Sequence, residues 1–387
     1  MAFEFLANKL AAARQADQFR QIIPTVGGNQ CQLIVGDRAL INFSANDYLG
    51  LATDPQVIGA ANKASAKYGV GSGGSPLVTG HSSLHQDLQT MLCEVTGLES
   101  AMLFSSGFAA NSGILATMLG KNDLLLQDKL NHASLMEAGI NSPATMKRFK
   151  HNEMTHLARH LADGKDYQNR LLVSEGVFSM DGDCGDLTSL RQIADKHNAW
   201  LMVDDAHGFG VNGQGQGSCA ALGVKPDILM ATFGKAIGTS GAFVAGSKEV
   251  IEYLTNYCRH YIYSTALPIS VVAATIKSIE LSGEAWRSEK LNERIAYFKQ
   301  QASKLGLNLM PSNSAIQPLI IGQSDKAIAV SEQLKSAGYW VGAIRPPTVA
   351  KGSARLRITL SANHRLTDID NLLIALARAV EQDGVIT

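Results

Sequence analysis

Five short apolar runs, each followed at once by polar or glycine residues, limit what this chain can fold into. They lie at 101–104, 124–126, 171–173, 201–203 and 228–230. Between the third and fourth runs, residues 186–197 place leucine and isoleucine at helical spacing behind an N-cap candidate, Asp186. Unbroken apolar strands joined by amphipathic helices are typical of a parallel sheet covered on both faces. We therefore predict an α/β fold with a mostly parallel central sheet.

The polar clusters that follow these runs predict where a ligand binds. The carboxyl ends of parallel strands meet at one edge of a sheet, and ligands of open α/β sheets bind beyond that edge. Each cluster, from SSGFAAN after the first run to ATFGK after the fifth, lies at such an end. The sequence thus predicts one site built from several strand ends.

The two ends of the chain differ from this alternating middle. After about residue 290, mixed strand-like and helical segments suggest a small α+β domain. A helix at 5–20 and a hairpin at 31–43 are expected to pack with it. The predicted division is 1–45 for the N-terminal helix and hairpin, 46–289 for the large ligand-binding domain and 290–387 for the small domain.

Composition excludes several classes of function. Lys plus Arg and Asp plus Glu are both 34, and this zero net charge offers no general attraction to nucleic acid or an acidic membrane. Five cysteines without a CxxC pair argue against a disulfide scaffold and favour a reducing, cytoplasmic compartment. Residues 1–20 lack the apolar core of a secretory signal. Polar residues interrupt the uncharged stretch 101–120, which favours a strand, turn and helix over a membrane span.

Three motifs resemble known sites but fail in their context. GVGSGG (69–74) matches the dinucleotide pattern but follows a helix-like segment instead of a strand, so a glycine loop over some other ligand is expected. DGDCGD (181–186) begins like a calcium loop whose last ligand would be Gln192 instead of a glutamate. Two histidine pairs at i,i+4 spacing lack a third ligand. No metal site is predicted.

Lys235 is the only charged residue among the 20 that separate Asp227 from Lys248. A lysine in such an apolar, glycine-rich segment is expected to be largely buried, and burial favours the neutral, nucleophilic amine. The alternative is a lysine that reaches solvent or pairs with a carboxylate. On this feature alone the two interpretations stay equally open.

Two further polar clusters could each bind one part of the ligand that a nucleophilic lysine would hold. In VDDAHG (203–208), Asp204 at a buried strand end could bond a protonated ring nitrogen, with His207 in the same cavity; the alternative is an aspartate pair that caps the next helix. In SSGFAAN (105–111), backbone N–H groups at a helix start suit a phosphate, unless this is an ordinary β–α turn. An amine, an anion and a phosphate turn together specify pyridoxal 5′-phosphate (PLP).

On these motifs the sequence resembles the α-oxoamine synthase family of fold-type I PLP-dependent transferases over almost its full length. The family-specific segments are TFGKAIG (232–238), VDDAHG (203–208) and SEGVFSMDGD (174–183). The resemblance implies a cytoplasmic homodimer, an acyltransferase that condenses an amino acid with an acyl thioester and releases CO₂. AIRPPTV (343–349) with ARLRITL (354–360) points to the biotin-pathway branch, which joins L-alanine to a pimeloyl thioester carried by CoA or by acyl carrier protein (ACP).

The resemblance also implies residue roles around the cofactor. Lys235 would carry PLP and move protons, Asp204 would face the ring nitrogen, and His132 would stack on the ring, although His132 could instead cap the helix that starts at Ala133. The other implied cofactor contacts are Gly107, Phe108, Ser179, His207 and Thr232, with Ser264 and Thr265 reaching the phosphate of a second subunit.

For the substrate, the resemblance implies that Arg345 binds the carboxylate of the amino acid. The other implied substrate contacts are Arg20, Asn46, His132 and Thr348. Arg345 could instead be a surface turn residue before Pro346.

Three alternatives for the function stay open. A sister synthase, such as 2-amino-3-ketobutyrate CoA ligase, joins glycine to an acyl-CoA, and the amino acids differ by one methyl group. A PLP aminotransferase would release no CO₂. A cofactor-free binding protein could use the same fold, because fold does not determine function.

Overall fold

The computed structural model describes residues 3–163 and 166–384 and divides the chain into two units. The larger unit consists of residues 49–179 and 183–288. The other unit consists of the described parts of 1–48, 180–182 and 289–387. The N-terminal and C-terminal segments thus fall into one unit, together with three residues from the middle of the chain.

The elements, in chain order, are as follows. The strands are β1 Gln32–Val35, β2 Arg38–Asn42, β3 Ser100–Phe104, β4 Leu124–Asp128, β5 Thr145–Phe149, β6 Arg170–Glu175, β7 Trp200–Asp204, β8 Ile228–Thr232, β9 Ala242–Gly246, β10 Ile316–Gly322, β11 Tyr339–Trp340, β12 Gly342–Ile344 and β13 Ala354–Thr359. The α-helices are α1 Phe5–Gln15, α2 Pro55–Tyr68, α3 Ser83–Thr96, α4 Gly107–Met118, α5 Ala133–Asn141, α6 Met154–Leu161, α7 Leu187–Lys196, α8 Ser218–Ala221, α9 Lys248–Tyr257, α10 Arg259–Ile262, α11 Ile269–Ser282, α12 Ala285–Lys304, α13 Ser324–Ser336 and α14 Leu366–Gln382.

The larger unit is built on a seven-stranded sheet in the order β3-β9-β8-β7-β6-β4-β5. Pairing is parallel from β8 through β5, and β9 runs antiparallel to both of its neighbours. All five predicted strands are present, so the predicted, mostly parallel α/β fold is confirmed. The apolar runs did not predict β5, which is partly exposed, or β9, which follows a glycine-rich turn.

Apolar side chains cover both faces of this sheet. Neighbouring residues alternate between two cores: Leu172 and Val203 belong to one, and Val173 and Met202 belong to the other. A strand buried on both faces needs apolar residues at every position, and this explains the unbroken runs in the sequence. Helix α7 packs beside them as predicted, and the Asp186 side chain accepts a hydrogen bond from Ser189 N (3.1 Å).

The second unit contains two small sheets, ordered β1-β2-β11 and β10-β13-β12. The predicted hairpin is present, and Gly36 takes the positive φ (+58°) that its tight turn requires. Helix α1 ends at Gln15 instead of residue 20, so the prediction for its end was wrong; Asp17, with φ at 55°, leaves the helical conformation.

Residues 180–182 are fastened within this second unit. Ser312 Oγ donates to the Gly182 carbonyl at 2.9 Å, and Arg355 Nη1 donates to Asp181 Oδ1 at 2.7 Å. Arg355 is buried, so its pairing with Asp181 satisfies a charge that would otherwise be costly to bury. Within the described ranges of the chain, no helix combines the length and apolar character needed to cross a bilayer.

Candidate active site

A cavity of about 160 Å³ lies at the carboxyl ends of β6, β7 and β8 and at the start of α4. This is the edge of the sheet where the polar clusters predicted a ligand. Seven of the predicted cofactor residues line the cavity: Gly107, Phe108, His132, Asp204, His207, Thr232 and Lys235. Ser179, Ser264 and Thr265 are not among the described residues that line it.

Asp204 is the last residue of β7, and its side chain is buried with 4% of its surface exposed. Its Oδ1 accepts from Ala206 N (3.0 Å), and its Oδ2 accepts from Asn111 Nδ2 (2.9 Å). Two donors thus hold this carboxylate in place at the cavity wall. Such an oriented anion can bond a protonated ring nitrogen.

The neighbouring Asp205 has a different environment. Its carboxylate accepts from Ser218 N (2.7 Å) and Ser218 Oγ (2.6 Å) at the start of α8. Burial raises the pKa of Asp205 to about 7. The helix-capping alternative for the aspartate pair therefore describes Asp205, whereas Asp204 lines the cavity.

Lys235 follows β8 and is half-buried, so less of its surface is exposed than covered. Its side chain lines the cavity instead of packing into the core. Its backbone is fixed in a tight turn, where its carbonyl accepts from Gly238 N (2.8 Å), and the adjacent Ala236 and Ile237 are fully buried. The turn anchors the lysine at one wall of the cavity.

His132 is the N-cap of α5, as the structural alternative predicted. Its Nδ1 accepts from Ser134 N (3.2 Å) and lies 2.8 Å from Ser134 Oγ. Although the residue is exposed at the cavity mouth, desolvation of the ring lowers its pKa; Lys235 adds to that effect and Asp204 opposes it. The cap and the cavity position coexist, because the cap uses one edge of the ring and leaves its faces available.

The start of α4 forms a cradle that suits a phosphate. A Cβ on Gly107 would lie 2.6 Å from Thr232 Cγ2, so only glycine lets the backbone approach Thr232 this closely. Thr232 Oγ1 is buried and has no hydrogen-bond partner within residues 3–163 and 166–384. A buried hydroxyl of this kind needs a partner. Backbone N–H groups at a helix start favour an anion, so the site fits the phosphate of PLP.

The glycine loop that was predicted to cover a ligand also forms hydrogen bonds within the chain. Gly74 O accepts from Ala266 N (3.0 Å), and Ser72 Oγ donates to Ala266 O (2.8 Å). These bonds hold the segment that carries Ser264, half-buried, and Thr265, exposed. Ser179 is buried in the loop that follows β6.

The predicted substrate residues other than His132 lie in the second unit, where they form two groups. Arg20 Nη2 donates to Thr348 Oγ1 (3.3 Å), and Arg345 Nη1 donates to the Asp17 carbonyl (2.7 Å). Asn46 Oδ1 accepts from Arg357 Nη1 (3.1 Å). Arg357 is buried, and it was not among the residues predicted from the sequence.

Three polar residues that the sequence did not predict also line the cavity: Asn111, Ser134 and Glu175. Glu175 ends β6 opposite Asp204 and is 2% exposed, and its carboxylate accepts a hydrogen bond from His132 N. Burial, and then the charge of Asp204, raise the pKa of Glu175 well above its usual range. Asn111 lies in the second turn of α4 and Glu175 at the end of β6, and both belong to motifs quoted from the sequence. Their membership of those motifs was the available signal.

Comparison with known proteins gives a consistent result. Residues 38–376 match the family described as aminotransferase class I and II. The chain is 48% identical to the 8-amino-7-oxononanoate synthase of Alcanivorax borkumensis over 99% of its length and 100% of that protein. It is 51% identical to the enzyme of the same name from Vibrio cholerae over 92% of this chain and 91% of that one.

The fold is also similar to that of a solved structure. A serine palmitoyltransferase from S. paucimobilis, with bound PLP-myriocin, superposes with a TM-score of 0.92 at 29% identity, covering 99% of this chain and 98% of that chain.

Proposed function

The chain belongs to the class I and II aminotransferase family and is a PLP-dependent acyltransferase, and from this premise we propose that it condenses L-alanine with a pimeloyl thioester. The relatives named 8-amino-7-oxononanoate synthase support a place in biotin biosynthesis. The products would be 8-amino-7-oxononanoate, CO₂ and the free thiol of the carrier. A C–C bond forms to the acyl carbon, the C–S bond breaks, and the carboxylate of alanine leaves as CO₂.

One observation carries the proposal: a single cavity contains Lys235, the Asp204 carboxylate and a helix start beside the Thr232 hydroxyl, which has no hydrogen-bond partner in the described part of the chain. These three groups match the aldehyde, ring nitrogen and phosphate of PLP. Bound PLP supplies an electron-withdrawing ring that makes the α-proton of an amino acid acidic. We assign the phosphate to Thr232 and to the backbones of Gly107 and Phe108.

The protein groups around the ring would divide the remaining work. Lys235 Nζ holds the cofactor and later takes and returns the proton at the alanine Cα. Asp204, oriented by Asn111, keeps a proton on the ring nitrogen. His132 covers one face of the ring and excludes water. His207 and Ser179 are assigned to the ring hydroxyl, and both are buried.

We propose that Arg345 binds the carboxylate of alanine, together with contacts from Arg20, Asn46, His132 and Thr348. A guanidinium bonds a carboxylate through two parallel N–H groups, and this fixes the orientation of the substrate. The half-buried Arg345 now bonds only a neutral carbonyl among its described contacts. Arg357 is the second cation to consider, because it bonds Asn46, a proposed substrate contact.

Arg345→Gln tests this assignment. Loss of a charge-assisted bond of about 1.5–3 kcal/mol should raise the KM for alanine by roughly 10-fold to 150-fold. The visible absorbance of bound PLP should stay unchanged. Steady-state kinetics with varied alanine measures the effect, and Arg357→Lys is the parallel variant. An unchanged KM for Arg345→Gln with a raised KM for Arg357→Lys would move the carboxylate site to Arg357.

The product assay tests the function itself. Purified protein with PLP is mixed with alanine or glycine and with pimeloyl-CoA, pimeloyl-ACP or acetyl-CoA, and mass spectrometry identifies the product. We expect 8-amino-7-oxononanoate and CO₂ from alanine and a pimeloyl thioester. Turnover only with glycine and acetyl-CoA would indicate a sister synthase. Conversion of the cofactor to its amine form by a keto acid, without CO₂, would indicate an aminotransferase.

We also propose that the chain works as a cytoplasmic homodimer, with Ser264 and Thr265 at the phosphate of the second subunit. Thr265 is exposed, and the preceding Tyr263 exposes 73% of its surface. In the glycine loop, Val70 exposes 80%. Apolar side chains this exposed are typical of a surface that a second chain covers.

A further inference from the structure

A histidine outside the cavity is bonded by a carboxylate at each of its ring nitrogens. His151 Nδ1 lies 3.0 Å from Asp128 Oδ1, and His151 Nε2 lies 2.7 Å from Asp183 Oδ2. Asp128 is fully buried, and the half-buried His151 ring packs edge-on against Phe178, with ring centroids 4.5 Å apart. None of these three polar residues lines the candidate active site. The cluster therefore needs an explanation of its own.

The first carboxylate of this cluster belongs to the turn that leads to His132. Asp128 ends β4, and its Oδ1 also accepts from Leu130 N (2.8 Å). Its backbone carbonyl accepts from Asn131 N (3.2 Å). Asp128 thus shapes the turn 129–131, directly before His132.

The second carboxylate belongs to the loop that contains Ser179. Asp183 O accepts from Phe178 N (2.9 Å), and Val177 forms a β-bridge with Cys184. The loop is thereby closed at its base, with Ser179 just inside it. Asn152, the next residue after His151, donates from Nδ2 to the Cys184 carbonyl (2.9 Å) and reinforces the same contact.

The charge state of the ring fits both bonds. Burial alone would lower the pKa of His151, but the hydrogen bonds and charges of Asp128 and Asp183 outweigh it and raise that pKa to about 10. At neutral pH the ring is an imidazolium that donates from both nitrogens. A neutral imidazole has only one N–H and could donate to only one of the two carboxylates.

We propose that His151 is a positioning residue that ties the turn before His132 to the loop containing Ser179, and thereby holds both segments in place around bound PLP. The proposal rests on the roles assigned to His132 and Ser179 above. His151 itself does not touch the cofactor in this scheme. It acts by fixing two segments that the sequence separates by about fifty residues.

Two variants test the proposal in the holoenzyme. His151→Phe keeps the ring and its contact with Phe178 but removes both hydrogen bonds and the charge. Asp183→Asn keeps an acceptor oxygen and weakens the bond to His151, together with the longer contact from Asn152 Nδ2 (3.4 Å). The control is His260→Gln, since His260 is exposed. Hydrogen exchange is followed in residues 129–132, in residues 177–184 and in β7, and PLP affinity is measured from the visible absorbance.

For His151→Phe we expect faster exchange in both loop segments, unchanged exchange in β7 and PLP affinity reduced roughly 10-fold. Asp183→Asn should give a smaller change, and the double variant should be no worse than His151→Phe, since the bond that Asp183→Asn weakens is already absent in His151→Phe. Loosening of only one segment, or fully additive effects, would overturn the proposal. So would unchanged PLP affinity when both segments loosen.

Hydrogen exchange reports on the link that His151 forms between the two segments, whether or not the wild-type protein makes 8-amino-7-oxononanoate. A failed product assay therefore bears on the proposed function alone. Unchanged exchange in both segments of His151→Phe would refute this link, whichever product the enzyme makes.

Discussion

Lys235→Ala is expected to yield a folded protein that binds PLP without a covalent link and has almost no turnover. The side chain is half-buried at a cavity wall, and the turn that presents it is held by backbone bonds, so the fold should tolerate alanine. Loss of a positioned proton-transfer group alone typically costs roughly 10²-fold to 10⁴-fold in rate. Loss of the covalent attachment adds to this cost.

The measurement is reduction with borohydride followed by mass spectrometry of the peptide that spans the site. Wild-type protein should retain the cofactor mass on Lys235, and the variant should not. Lys248→Ala is the matched control, because Lys248 is the next lysine along the chain and is exposed. A cofactor that stayed reducibly attached to the alanine variant would show that the lysine is wrongly assigned.

Asp204→Asn is expected to keep PLP bound but to slow exchange of the alanine α-proton with solvent by roughly 10-fold to 150-fold, the value of a charge-assisted bond. A neutral amide fills the same space but no longer favours a proton on the ring nitrogen. Without that proton the ring withdraws electrons less effectively. Proton exchange can be followed by NMR in deuterated solvent, without an acyl donor.

Asp205→Asn is the control for this experiment. Asp205 is also buried, but it bonds Ser218 away from the cavity, so this variant should change stability more than proton exchange. Unchanged exchange in Asp204→Asn, or equal slowing in both variants, would count against the assignment of Asp204 to the ring nitrogen.

The sequence could predict the central sheet because a strand buried on both faces is apolar at every position. Each such strand can be recognised by itself as an unbroken apolar run. It could not reveal β5, since a partly exposed edge strand lacks that pattern. It placed the amine, the anion and the phosphate turn in one site, because parallel strand ends must converge. It could not show that Lys235 lines a cavity, because composition cannot distinguish a residue inside the core from one beside a cavity.

Other residues were beyond reach for a different reason. Asp128, His151 and Asp183 lie on separate segments, and no spacing between them signals that they meet. Glu175 and Asn111 acquire their importance from partners on other segments, since Glu175 accepts from His132 N and Asn111 donates to Asp204. Such relations follow from tertiary packing and not from local pattern.

Residues 180–182 belong to the second unit although the residues on either side of them belong to the larger one. This limits how the polypeptide can be shortened. A fragment spanning 49–288 would keep Asp181 but lose Arg355, the cation that neutralises it, and would lose Ser312, the donor to Gly182. Its central loop would then carry an orphaned acid next to the segment with Ser179. We therefore expect the isolated fragment to hold this loop less well than the intact chain does, even though its seven-stranded sheet is complete.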